Sequence, residues 1–331
     1  MSTLSSLLIA SLLPLGALVS TALGGELPNS GVPVAAAASP TASGTPGRVA
    51  GTSGQRNALG FEVPPERAPS KPRWIADYFD AVDEARRRHC AIVMMISSDA
   101  SEGFKTVSNQ VYSEPDFSAL TDAAIFVAAF DGEDHACKEK KIDGEKVLWC
   151  EIFDLPCKHH RAAHKRAYSV FVKKAFQNPL HAILDPDGTE IARVQGHQIK
   201  LDDLSLALRE AQKKIEGPAL GYAEYREHLL ALREMVDLRQ KKGWGRQIKE
   251  LHKYTAKSLQ NEGMQDFVAE LERAMLREGR DRLRNAEVQL DAGDAKAARK
   301  EVSAVIRDFR DTEVATEARA LKKKIEDARR P

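Results

Sequence analysis

The sequence predicts a mixed α/β unit followed by an all-α one. Two continuous apolar runs, Cys90–Ile96 and Ala124–Phe130, suit strands buried on both faces, and segments of helical period separate them. The turn sequence Asp185-Pro186-Asp187-Gly188 joins two further strand-like runs, which adds an antiparallel pair to the sheet. From Tyr222 onward Gly and Pro become scarce and Leu, Ala, Glu, Lys and Arg dominate, the composition of packed helices.

Composition bounds the function. The chain has 331 residues with 49 Lys and Arg against 48 Asp and Glu, a formal charge of +1. At roughly 100–200 residues per domain the length accommodates two or three domains. Hydrophobic residues make up 43% and charged ones 29%, enough apolar material for a core, so wholesale disorder is excluded. The even charge balance argues against a dedicated nucleic-acid protein, which needs excess cations for phosphates. Four cysteines in this length do not make a disulfide-dense miniprotein.

In chain order, residues 1–24 carry no charged side chain and an apolar stretch from Leu7 to Val19, the pattern of a secretory signal peptide. An uncleaved membrane anchor is the alternative, although the run is shorter than the ~20 residues a span needs. The expected location is therefore exported, periplasmic or secreted, with membrane attachment only through this segment. Residues 25–72 are rich in Pro, Ala, Ser and Gly and read as a disordered linker. The α/β unit then covers 73–217. Trp74, Tyr78, Val82 and Ala85 recur at helical spacing, which predicts a helix over 73–88. Residues 102–112 and 161–177 read as helical, Leu180–Leu184 and Glu190–Val194 as the hairpin strands, and Leu201, Leu204, Leu208, Ala211 and Ile215 as the inner face of a closing helix. Gly217-Pro218 stops it. This order needs a mixed central sheet covered by helices on both faces.

Three stretches together resemble the thioredoxin family in its exported branch: Val111-Tyr112-Ser113-Glu114-Pro115-Asp116-Phe117, Asn178-Pro179 ahead of the hairpin, and Leu184-Asp185-Pro186-Asp187-Gly188 followed by Gly196-His197-Gln198. The resemblance covers about Trp74 to Gly217 and implies a thioredoxin-like fold with Pro179 as the candidate cis-proline. It also implies a CxxC pair at the start of the helix after the first central strand, where free N–H groups and the helix dipole stabilise a thiolate. That place reads Ser97-Ser98-Asp99-Ala100-Ser101-Glu102-Gly103-Phe104-Lys105, which puts Ser101 and Phe104 at the positions of the two cysteines. Neither side chain undergoes thiol–disulfide exchange, and Ser101 reads as a helix N-cap. No catalytic residue is assigned there.

The chemistry gathers instead in an insertion over residues 132–165. His135, Cys137, Cys150, Cys157, His159, His160 and His164 lie in it, three of the four Cys and four of the nine His. Cys157, His160 and His164 fall at i, i+3 and i+7, one face of a helix that begins near Cys157. Thiolate and imidazole suit Zn, or Cu, so Cys137, Cys150, Cys157, His160 and His164 are the metal candidates. The same Cys137, Cys150 and Cys157 are candidates for a structural disulfide, or for a relocated redox pair formed by Cys150 and Cys157. Cys90 reads as a small core residue.

Residues 218–331 read as helices over Tyr222–Lys242, Gly245–Glu262, Ala269–Leu290, Ala295–Phe309 and Thr312–Ala328. Gly293, Ala297, Val302, Phe309, Ala315 and Leu321 resemble one tetratricopeptide unit, which must stack on its neighbours to bury its apolar face. Together these readings lead to an exported, non-redox thioredoxin-like protein acting as a binding or scaffolding module. Its expected partner is a protein or peptide, held in the groove beside Pro179 or on the helical C-terminus, with no nucleic acid. The alternatives are a thiol–disulfide oxidoreductase using Cys150 and Cys157, and a Zn- or Cu-binding protein.

Overall fold

A computed structural model describes residues 61, 63, 64, 66, 71–98, 102–132, 135–142, 144–172, 177–237 and 243–327. The expected signal peptide and most of the expected linker lie outside them, as does Ser101.

The sheet forms where the apolar runs predict it. Strands β1 (Trp74–Ile75), β3 (Ile125–Phe130), β2 (Ile92–Ser97), β7 (Leu180–Leu184) and β8 (Glu190–Gln195) lie side by side in that order. β1, β3 and β2 run parallel, β7 pairs antiparallel with β2, and β8 antiparallel with β7. Every residue of β2, β3 and β7 is buried, so these strands need apolar side chains at both parities. One parity (Val93, Met95, Phe126, Phe130, Ile183) packs on α2 (Glu102–Val107), α3 (Phe117–Ala123) and α5 (Leu201–Gln212) through Phe104, Phe117 and Leu204. The other parity (Ile92, Met94, Ile96, Val127, Leu184) packs on α1 (Tyr78–Arg88) and α4 (Cys157–Phe171) through Ala81, Ala85, Ala163 and Ala167.

Two predicted helices change shape. Asp77 caps α1 by accepting from the backbone N–H of Phe79 and Asp80, so the helix starts later than expected and Trp74 belongs to an edge strand. Residues 102–112 are helical but switch from α2 to one π-helical turn at Ser108–Tyr112. The insertion holds a second, three-stranded sheet of β4 (Cys137–Ile142), β5 (Glu145–Cys150) and β6 (Leu155–Pro156), which shares no ladder with the first.

The C-terminal part is helical: α6 (Tyr222–Asp237), α7 (Trp244–Ser258), α8 (Glu262–Asp291), α9 (Ala295–Asp308) and α10 (Glu313–Asp327). The expected break near residue 262 falls at 259–261, where Asn261 caps α8, and α8 then runs unbroken for 30 residues. Phe61 and Val63, placed in the linker by composition, are buried against this helical core, with the Phe61 ring 5.5 Å from that of Phe267. No helix among the described residues is long and apolar enough to cross a membrane.

Candidate functional site

The position expected to hold a CxxC pair is built as packing. Phe104 is 2% exposed and stacks on Phe130 at 4.4 Å between ring centres. Gly103 lies so close to the 178–179 loop that a Cβ there would fall 2.5 Å from the Asn178 carbonyl oxygen. The Asn178–Pro179 peptide bond is cis, and the Asn178 side chain accepts from Ser97 Oγ at 2.6 Å and donates to the Ser98 carbonyl at 2.5 Å. These contacts place the helix start directly against the Pro179 loop, and no thiol stands among the described residues there.

The thiols and imidazoles converge elsewhere, at the carboxyl end of β3. The β4–β5 register sets Cys137 directly across from Cys150. The Glu151 N–H donates to the Ala136 carbonyl at 2.9 Å, so the neighbouring Cys137/Cys150 pair occupies a non-hydrogen-bonded position, where opposed side chains come closest. β6 then returns the chain along β5 and delivers Cys157 as the first residue of α4, with His160 on the same helix face. His135, two residues before Cys137, completes the group.

Two of the separations are those of a ligand set. His135 Nε2 lies 3.2 Å from His160 Nε2, and Cys157 Sγ lies 3.6 Å from His135 Nε2 and 3.2 Å from Cys137 Sγ. Ordinary zinc bond lengths in a tetrahedron put ligand atoms about 3.3 Å apart for N–N, about 3.5 Å for N–S and about 3.8 Å for S–S. Two overlapping triads, His135–Cys137–Cys157 and His135–Cys150–His160, each keep their ligand atoms within 4.8 Å of one another. All four cysteines are free thiols.

The electrostatics fix which atoms are available. His160 donates its Nδ1 proton to the Phe130 carbonyl at 2.6 Å, which leaves the Nε2 lone pair aimed at the cluster. Burial pushes the His160 imidazole down to about 4, against the raising effect of the Phe130 carbonyl and with His135 and Arg161 adding to the fall. Burial and then Arg161 also lower His135. Both rings are therefore neutral near pH 7. Burial drives the Cys150 thiol up to about 11, and burial together with Cys137 drives Cys157 up to about 12. Clustered, desolvated thiols resist ionising side by side, and a bound cation is what offsets that repulsion.

Not every candidate ligand is brought into the two triads. His164 points its Nδ1 at Asp131 Oδ2, 3.3 Å away, and stands outside both triads. His135 takes its place; its signal in the sequence was the His-Ala-Cys spacing at a strand start, which puts positions 135 and 137 on one side of extended chain. Cys90 is fully buried at the amino end of β2, the opposite end of the parallel β2–β3 pair from the cluster. On the helical part, a groove between α8 and α10 is lined by Leu276, Leu283 and Leu321 together with Arg273, Arg277 and Arg280.

No family model matches this chain, and no curated protein matches it. A solved structure described as a DsbH oxidoreductase is similar at 12% identity over 46% of this chain and 94% of that one, with a TM-score of 0.32.

Proposed function

We propose that this is an exported protein with a thioredoxin-like α/β part that holds one soft metal ion, zinc(II) or copper(I). The fold reading rests on the strand order β1-β3-β2-β7-β8, with β7 alone running against the other four. The metal reading rests on one observation: His135 Nε2 lies 3.2 Å from His160 Nε2 and 3.6 Å from Cys157 Sγ, separations that match the N–N and N–S edges of a tetrahedral zinc site. His135, Cys137 and Cys157 form the ligand triad for the ion, and His135 is shared with a second triad that adds Cys150 and His160 as further donors. With thiolates and imidazoles as its donors, the site stores or senses an ion or braces the fold. Phe130 acts behind the ligands: its carbonyl sets the tautomer of His160.

The test is metal content and cobalt spectroscopy on the reduced, untagged protein. About one Zn or Cu per chain is expected, with thiolate-to-cobalt charge-transfer bands on Co2+ addition that vanish in a Cys137→Ser/His135→Ala chain. At ion concentrations about 100-fold above Kd the folded state gains about 2.7 kcal/mol, read as a higher unfolding midpoint that a chelator reverses. A wild-type protein that takes up no Co2+, Zn2+ or Cu+ while its thiols are reduced would sink this reading.

A further inference from the structure

We propose that oxidation of Cys137 and Cys157 to a disulfide empties the metal site, so that ion binding and a two-electron thiol oxidation exclude each other. This inference rests on the metal-site reading and adds its regulation.

The observation behind it is a distance that does not fit the tetrahedron. Cys137 Sγ and Cys157 Sγ stand 3.2 Å apart. That is shorter than the about 3.8 Å edge two thiolates keep on one zinc ion. It is about 1.2 Å longer than the S–S bond of a disulfide. The pair thus lies between its two bonded arrangements. The two sulfurs also sit on different elements. Cys137 opens β4, and Cys157 follows directly on β6 of the same small sheet and opens α4, whose Ala163 and Ala167 pack on the large sheet. Forming the bond requires the two sulfurs to approach by about 1.2 Å.

Exposure sets the order of events. Cys137 is half-buried, whereas Cys157 is 2% exposed. The oxidant is a small disulfide, RSSR. The Cys137 thiolate attacks one of its sulfurs, forming a mixed disulfide and releasing one RS−. The Cys157 thiolate then attacks the Cys137 sulfur, forming the internal bond and releasing the second RS−. Two thiolates are oxidised, RSSR is reduced to two thiolates that take protons from water, and the ion loses both of its sulfur ligands. His135, Cys150 and His160 remain as a three-ligand set with a single thiolate. A soft ion is held far more weakly by it.

The experiment loads the fully reduced full-length chain with Zn2+, removes the excess and adds dithiodipyridine. A chromogenic chelator follows the ion, and non-reducing peptide mapping follows the sulfurs. The expected result is loss of the bound ion in step with a Cys137–Cys157 cross-linked peptide, with uptake restored by dithiothreitol. A Cys150→Ala chain is expected to form the same link and release its ion in the same way. Zinc retained after the Cys137–Cys157 link has formed, release accompanied by a different link, or release that requires Cys150 would each overturn the inference while leaving the metal site standing. Failure of the reduced chain to take up zinc at all would instead remove the metal reading itself.

Discussion

Two neutral imidazoles that face each other through Nε2 at 3.2 Å pose a question of protons, and Phe130 answers half of it by holding the only ring proton of His160 on Nδ1. The other half belongs to whatever His135 Nε2 offers its lone pair to. A His160→Gln substitution removes one donor, and a drop in metal affinity of at least about 10-fold is expected in a competition titration with a chelator of known strength. Away from the cluster, His181 lies fully buried in β7, its Nε2 2.6 Å from the Tyr112 hydroxyl. Burial pushes its imidazole down to about 3, so the folded chain keeps it neutral where the unfolded chain takes a proton near pH 6.5. Its contribution to stability is whole above that pH and is lost as the pH falls toward 3, by up to about 1.4 kcal/mol per unit. Glu84 acts lower on the scale. Burial alone would raise its carboxyl, but Arg73 and Arg88 more than offset that and hold it below the usual range. The stability it confers is present above about pH 4.3 and lost in stronger acid. Urea midpoints of apoprotein measured between pH 7 and 4 should fall steadily, and less steeply in a His181→Gln chain. The sequence displayed the Cys/His cluster but not its membership. Helical spacing favoured His164, which Asp131 claims, whereas His135 becomes a neighbour only through the strand that starts beside it.

Elements were legible where burial imposes a period. β2, β3, β7 and the five C-terminal helices follow from apolar runs and helical spacing, because both faces or one stripe of each must be covered. The insertion's strands were not legible. Lys138-Glu139-Lys140-Lys141 is exposed on β4 and alternates nothing, so only the cross-strand partner reveals a strand. Likewise β1 is two residues long, and its Trp74 matched a helical period by coincidence until Asp77 set the true start of α1. The junction of α1 with α8 could not be read either, because it depends on two backbones meeting. A Cβ on Gly263 would fall 1.9 Å from the Arg86 carbonyl oxygen. Gly263→Ala should therefore force the helices apart and destabilise the protein by about 1–3 kcal/mol in urea unfolding, despite its better helix propensity. Beside it, Asn261 caps α8 through the Met264 N–H at 2.9 Å while its amide donates to the carbonyls of Arg88 and Pro218.

At the scale of the molecule, Arg88 ties the sheet to the helices. Its guanidinium, wholly buried, donates to Glu84 at 2.9 Å, to the Leu220 carbonyl at 3.0 Å and to the Asp122 carbonyl. Arg87 lies over the Phe267 ring at 4.3 Å and Arg73 over that of Tyr222 at the same distance. The sheet and the helices are therefore expected to unfold in one transition by far-UV and tryptophan signals together. Arg88→Ala, which strands the Glu84 carboxylate beside Arg73 alone, should cost about 3–5 kcal/mol. The small sheet is held differently. Its three strands share no ladder with the large sheet, and it reaches the body through Phe153 among the core rings, through Cys137 and Cys150, and through α4, which continues directly from β6. Amide exchange in β4 and β5 should slow when zinc is added, while that of β2 and β3 stays unchanged. Such a flap is fastened by a buckle instead of a seam: what loosens it is a change in the chemistry of its surroundings, and the rest of the molecule need not melt for it to come undone.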